Sequence, residues 1–247
     1  MISTPCNLLW FADERKSDAS QVWVAGCSYA NGTGVSKQER YGQLVANTLN
    51  REASFLSILG SSIPWAADQI LRADIRKNDI VLWGLTDISR YITFKNNIFV
   101  NVFPHTFVID CSPIIIEMAK VEGESRQHVI DYYGYYQQGV ATWTETDRKE
   151  LESNLVNSDR LMQAVQSIHQ VANFCNKIDA KLVLFMHDFS LPEFSDFVKP
   201  QISNLENFLD ISTEVDKDIV GTGHPGIITH QNWADEILKF MKEKNYV

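Results

Sequence analysis

Two short segments far apart in the chain hold the residue types that acyl chemistry needs. Gly26-Cys27-Ser28-Tyr29-Ala30 carries a serine, and Gly223-His224-Pro225-Gly226 carries a histidine. A serine hydroxyl is a weak nucleophile until a neighbouring base takes its proton. A histidine is the side chain best suited to that task near neutral pH. Each segment also has a plainer reading. Ser28 can cap a turn, and His224 can fix the entry to the helix that follows it. Their order, and the apolar elements around them, favour the pair as a nucleophile and its base.

Those elements read as alternating strands and helices. Val22–Gly26 is an apolar run of strand character, so Ser28 falls just past its end. In open α/β folds the carboxyl edge of the sheet is where ligands bind. The spacing predicts a helix over 37–50, with Tyr41, Leu44, Val45 and Leu49 on one face. Ser36 is its expected N-cap, with Glu39 as capping-box partner. A second strand is expected over 54–59, then a helix opened by Pro64 and running to about Arg76. A third strand is expected over 80–83. Short apolar strands separated by helices imply parallel βαβ units.

The middle of the chain is less regular. Residues 96–110 read as an excursion or hairpin, 114–118 as a short helix, and 131–139, with four tyrosines, as a helix or lid. A long helix is expected over 145–176, a fourth strand over 181–186, and a short fifth strand within 207–211. A glycine-rich loop over 216–226 precedes a final helix over 229–244, with Trp233, Ile237, Leu238 and Met241 as its apolar stripe. No repeat or linker divides the chain. It is expected to be one domain, residues 1–247, with 91–145 as an insertion or cap.

Composition narrows the functions. The chain has 247 residues, 45% of them hydrophobic, enough for one full core. Its net charge of −9, with no Lys/Arg cluster, argues against nucleic acid as a partner. No run of eighteen apolar residues suggests a membrane helix. Met1 to Ser20 lacks the basic start and apolar core of a secretory signal, so a cytoplasmic protein is expected. Cys6, Cys27, Cys111 and Cys175 form no Cys-x-x-Cys pair, so no zinc site is expected. Gly32-Thr33-Gly34 lacks both the dinucleotide fingerprint and a P-loop lysine.

With these residues in hand, the chain resembles the SGNH (GDSL-type) hydrolase family, whose four sequence blocks occur in fixed order. Gly26-Cys27-Ser28-Tyr29-Ala30 matches the nucleophile block, with Cys27 where Asp is usual. Leu59-Gly60-Ser61-Ser62 matches the second, Gly84-Leu85-Thr86-Asp87 the third, and Gly221-Thr222-Gly223-His224-Pro225 the fourth. The resemblance implies a three-layer α/β/α sandwich, flavodoxin-like in its layering, with a parallel sheet of about five strands. It implies Ser28 as nucleophile and His224 as base. It implies an oxyanion held by the Ser28 N–H, the Gly60 N–H and the Thr86 side chain. It also implies an O-acyl ester substrate, a small molecule or a carbohydrate, with no metal and no organic cofactor.

Two departures bear on this reading. Thr86 stands where the family has an Asn that donates to the oxyanion. Gly221 stands where the family has the Asp that orients the histidine. Asp216, Asp218 or a backbone carbonyl are the substitutes the sequence offers. His187-Asp188, at the end of the fourth strand, is an alternative base pair or a polar strand exit. Cys27 reads as a small buried residue rather than a second nucleophile. The alternatives to an esterase are a catalytically degraded module that binds a glycan or protein, and an acyltransferase that uses the same acyl-enzyme.

Overall fold

A computed structural model describes residues 14–57, 61–86, 88, 90–95, 98–102, 149, 158–186, 194–211 and 224–247. Five parallel strands form its centre. They are β1 (Val22–Gly26), β2 (Ala53–Ser57), β3 (Ile80–Leu85), β6 (Lys181–Met186) and β7 (Phe208–Leu209), in the order β2-β1-β3-β6-β7. A separate antiparallel hairpin joins β4 (Tyr91–Lys95) to β5 (Ile98–Val102).

Alternation along each strand sorts the core into two halves. Trp23, Ala25, Val81, Trp83, Leu85, Leu182 and Leu184 face one side, where α3 (Ile63–Arg72) and α4 (Ser158–Ile178) pack together. Val22, Val24, Ile80, Leu82, Val183 and Phe185 face the other, against α2 (Tyr41–Thr48) and α6 (Ile227–Glu243). Both faces are covered, which is why these strands are continuous apolar runs. Helices α1 (Ser28–Asn31) and α5 (Lys199–Ile202) are single turns. The α/β sandwich expected from the sequence is the fold observed.

Several boundaries differ from expectation for local reasons. The helix over 37–50 is broken at Arg40, whose backbone is extended (φ −67°, ψ 135°) between a 3₁₀ turn (Lys37–Glu39) and α2. An unbroken helix would bond the Tyr41 N–H to the Lys37 carbonyl. Here that N–H donates to His230 Nδ1 of α6 at 3.3 Å. The capping box expected of Ser36 and Glu39 is present, with the Ser36 N–H donating to Glu39 Oε2 at 2.9 Å.

Helix α3 ends at Arg72 rather than Arg76. Ala73 is extended (φ −66°, ψ 151°), and the chain is drawn toward Asp79 instead. The second strand occupies 53–57 rather than 54–59, and the third continues to Leu85. In the hairpin, Ile98–Val102 pairs with the upstream Tyr91–Lys95, a strand the sequence reading missed. The expected elements over 103–139, and most of 145–157, lie outside the described residues.

Asp79 anchors the amino edge of the sheet. Its fully buried carboxylate accepts from Arg15 Nη1 at 2.7 Å and Nη2 at 3.2 Å, and from Trp23 Nε1 at 2.9 Å. It also accepts from the Gln21 N–H at 3.0 Å and the Arg76 N–H at 2.9 Å. Burial alone would raise its pKa. The bonds from Arg15 and from the Arg76, Gln21 and Trp23 N–H groups outweigh burial and hold it below the ordinary carboxylate value.

Candidate functional site

The strand order sets the site. The chain runs from β1 to β2 on one side, then returns to place β3 on the other side of β1. Such a reversal opens a crevice at the carboxyl ends of the two central strands, where ligands bind in doubly wound folds. Ser28 leaves β1 and Thr86 leaves β3 at this point. Each lies two residues beyond the glycine that ends or nearly ends the tight pairing, Gly26 in β1 and Gly84 in β3.

The two strands approach closely here. Gly26 has φ 139°, and a Cβ at this position would lie 2.6 Å from the Gly84 carbonyl oxygen and 2.9 Å from Ala30 Cβ. Only glycine combines that backbone with that proximity. Ser61 Oγ–H donates to the Gly26 carbonyl at 2.7 Å and ties the start of α3 to the same corner. Ser62 caps α3 by accepting from the Trp65 N–H at 3.2 Å.

Ser28 is the first residue of α1 and is 5% exposed. Residues in a first helical turn have N–H groups without an intrahelical acceptor, so the Ser28 N–H points out of the helix as a donor. The turn closes at Gly32 (φ 71°), whose left-handed backbone sends its N–H to the Tyr29 carbonyl at 3.2 Å. The Arg40 side chain fills the space where a Gly32 Cβ would sit, and its guanidinium lies over the Phe55 ring at 5.5 Å.

His224 is partly buried, three residues ahead of α6. Its ring meets the ring of Tyr29 edge-on, with centroids 5.5 Å apart. Tyr29 in turn stacks on Trp233 of α6 at 6.0 Å. The next turn of the same interface stacks Tyr41 on His230 at 5.8 Å, with Trp233 edge-on to both. Because His230 Nδ1 accepts from the Tyr41 N–H, its ring proton is on Nε2. His230, which the sequence reading left without a role, therefore docks α6 onto α2. The structure thus brings His224 to the residue adjoining Ser28.

Thr86 is 5% exposed, and among the described residues its Oγ finds no hydrogen-bond partner. A buried hydroxyl without a partner is uncommon in native proteins. Ser57, at the end of β2 and opposite Gly26 in register, also has a buried Oγ without a partner among the described residues. Gly60, Asp87, His187, Asp188, Asp216, Asp218, Gly221 and Gly223, and the tyrosines of 131–139, lie outside the described residues. Cys27 is buried at 1% exposure. Cys175 lies in the core, where burial pushes its thiol up to about 12 and makes it unreactive.

One residue of this cluster was missed in the sequence. Tyr29 joins Ser28, His224 and Trp233. Burial chiefly, and then Cys27, push its hydroxyl above the usual phenol value, while Arg90 opposes them. The signal was an aromatic residue directly after the serine.

Among the described residues no group of three or more His, Cys, Asp or Glu is placed to hold a metal ion. None of the described helices is long and apolar enough to cross a membrane.

No protein-family model matches the sequence, and no curated protein matches it. Solved structures do. One is an acetyl xylan esterase from the rumen bacterium Butyrivibrio proteoclasticus, with a TM-score of 0.52 and 12% identity, covering 95% of this chain and 67% of that one. Another is a carbohydrate esterase whose active site displays divergent catalytic and non-catalytic binding functions, with a TM-score of 0.47 and 14% identity, covering 90% of this chain and 68% of that one. At these identities the shared property is the α/β fold.

Proposed function

We propose that the protein is a serine esterase of SGNH type, acting on an O-acyl ester such as an O-acetyl group carried by a carbohydrate. The observation that carries the reading is the contact of the His224 ring with Tyr29, the residue next to Ser28, at the β1/β3 crevice. The acetyl group and the carbohydrate are drawn from the acetyl xylan esterase that shares the fold. Residues 91–145 are taken as an insertion or cap on this single domain.

In this reading Ser28 Oγ attacks the acyl carbon while His224 takes its proton. The carbonyl oxygen becomes an oxyanion, held by the Ser28 N–H, the Gly60 N–H and the Thr86 hydroxyl. Collapse breaks the bond to the alcohol oxygen, which leaves with the proton from His224. Water then attacks the acyl-enzyme, His224 takes its proton, and the acid departs as Ser28 regains its hydrogen.

Gly221, in place of the orienting Asp, favours a second reading: a module of this fold that binds a glycan or protein without turnover. One experiment separates the two. The protein and its Ser28→Ala variant are assayed on 4-nitrophenyl acetate and treated with a fluorophosphonate, followed by intact mass. Turnover lost in Ser28→Ala, with one adduct on Ser28, is the expected result. A folded protein with no turnover and no adduct overturns the esterase reading.

A further inference from the structure

The ring of Tyr29 is gripped from two places on one later segment of the chain. It meets the His224 ring edge-on, with centroids 5.5 Å apart and planes at 62°. It also stacks on Trp233 of α6 at 6.0 Å, with planes 27° apart. Trp233 is fully buried and edge-on to both Tyr41 and His230. The backbone of Tyr29 is held as well. The Asn31 N–H donates to the Cys27 carbonyl at 2.9 Å, and the Thr33 N–H donates to the Ser28 carbonyl at 3.0 Å. These bonds close α1 around Ser28 and Tyr29, so the two residues move as one. Tyr29 therefore shares a backbone with the nucleophile and a ring contact with the base.

We infer that Tyr29 is a positioning residue, whose ring holds the His224 imidazole in the orientation that meets Ser28 Oγ. The inference rests on the esterase reading. His224 lies in a Gly-His-Pro-Gly stretch ahead of α6, and Gly221, three residues before it, offers no side chain to orient an imidazole. The torsions of a histidine must be fixed before it can take a proton, and a misplacement of about 1 Å costs about 100-fold in rate. An edge-to-face ring pair prefers a defined tilt and spacing, so it restrains the ring it touches. The hydroxyl of Tyr29 is not the part that acts. Burial raises its pKa, so it stays a neutral phenol and does not compete with His224 as a base. The restraint comes from the ring, and phenylalanine can supply it.

The test separates kcat from KM on 4-nitrophenyl acetate. Tyr29→Met removes the ring and keeps apolar bulk, whereas Tyr29→Phe removes only the hydroxyl. Tyr29→Met lowers kcat by about 10- to 100-fold and leaves KM within about 3-fold of wild type, because the ester binds as before and only proton transfer suffers. Tyr29→Phe keeps kcat within about 3-fold. The rate of fluorophosphonate labelling of Ser28 follows the same order, since that reaction also needs His224. An unchanged kcat in Tyr29→Met, a loss confined to KM, or a loss in Tyr29→Phe as deep as in Tyr29→Met overturns the inference while leaving the esterase in place. A wild type that neither turns over the ester nor takes the label on Ser28 overturns the esterase reading, and the role of Tyr29 with it.

Melting temperatures establish that each variant is folded, and Tyr29→Leu replaces Tyr29→Met if the latter melts below the assay temperature. Proton NMR reads the imidazole directly, with the C–H signals of His224 identified by their loss in His224→Gln. At one alkaline pH these signals keep their place in Tyr29→Phe and move toward those of a free histidine in the ringless variant. Signals that stay in place without the ring overturn the inference, because the imidazole is then held by something else.

Discussion

Replacing Thr86 by valine should move stability and activity in opposite directions. Valine keeps the branched shape and exchanges the hydroxyl for a methyl. Thr86 is 5% exposed, and its Oγ has no partner among the described residues. A hydroxyl buried in this way costs about 1–3 kcal/mol, and its removal by a group of the same shape recovers much of that. For a domain of this size each kcal/mol moves the melting temperature by about 2–4 °C, so Thr86→Val should melt roughly 2–9 °C higher. If the same hydroxyl donates to the oxyanion, its loss lowers kcat by about 100- to 1000-fold. Calorimetric melting and turnover of 4-nitrophenyl acetate read the two effects on one sample. A lower melting temperature refutes the premise, since it means that a hydrogen bond was lost. A higher melting temperature with undiminished turnover refutes the catalytic role.

Two further predictions concern the frame around the site. Gly26→Ala adds a Cβ 2.6 Å from the Gly84 carbonyl oxygen at φ 139°. The backbone strain alone costs about 1–3 kcal/mol. Urea unfolding should show at least that loss, with turnover reduced because Ser28 is displaced; unaltered stability would contradict the close approach of β1 and β3. Asp79→Ala strands the Arg15 guanidinium and should cost about 3–5 kcal/mol in the same measurement. Because the folded Asp79 value is depressed, its contribution is complete above the unfolded value near pH 4 and fades as pH falls through the folded value. The variant's deficit should therefore be full at neutral pH and narrow below about pH 4. A deficit independent of pH would assign it to packing instead.

What could be read in the sequence followed the range of the forces involved. The strands at 22–26, 80–85 and 181–186 announce themselves because both faces of each are buried, leaving no polar alternation to confuse the pattern. The serine at the end of β1 was legible for the same reason: its place depends only on the strand before it. The break at Arg40 was not. It depends on an N–H of Tyr41 satisfied by His230, 189 residues away. The role of Asp79 was hidden likewise, since Lys77-Asn78-Asp79 looks like an ordinary polar lead into a strand. Its partners Arg15, Gln21 and Trp23 come from another part of the chain. Tyr29 escaped because an aromatic is unremarkable until the fold sets it beside His224.

The stacking of Tyr41 on His230, and of Tyr29 on Trp233, also sets a timetable. Ribosomes add about 5–20 residues per second, so the helix bearing His230 and Trp233 emerges about 10–40 s after the residues it must cover. Until then Tyr29 and Tyr41 lack the α6 aromatics they stack on, and the strands β6 and β7 join the sheet only late in the interval. The docking of α6 therefore comes last, and with it the arrival of His224 against Tyr29.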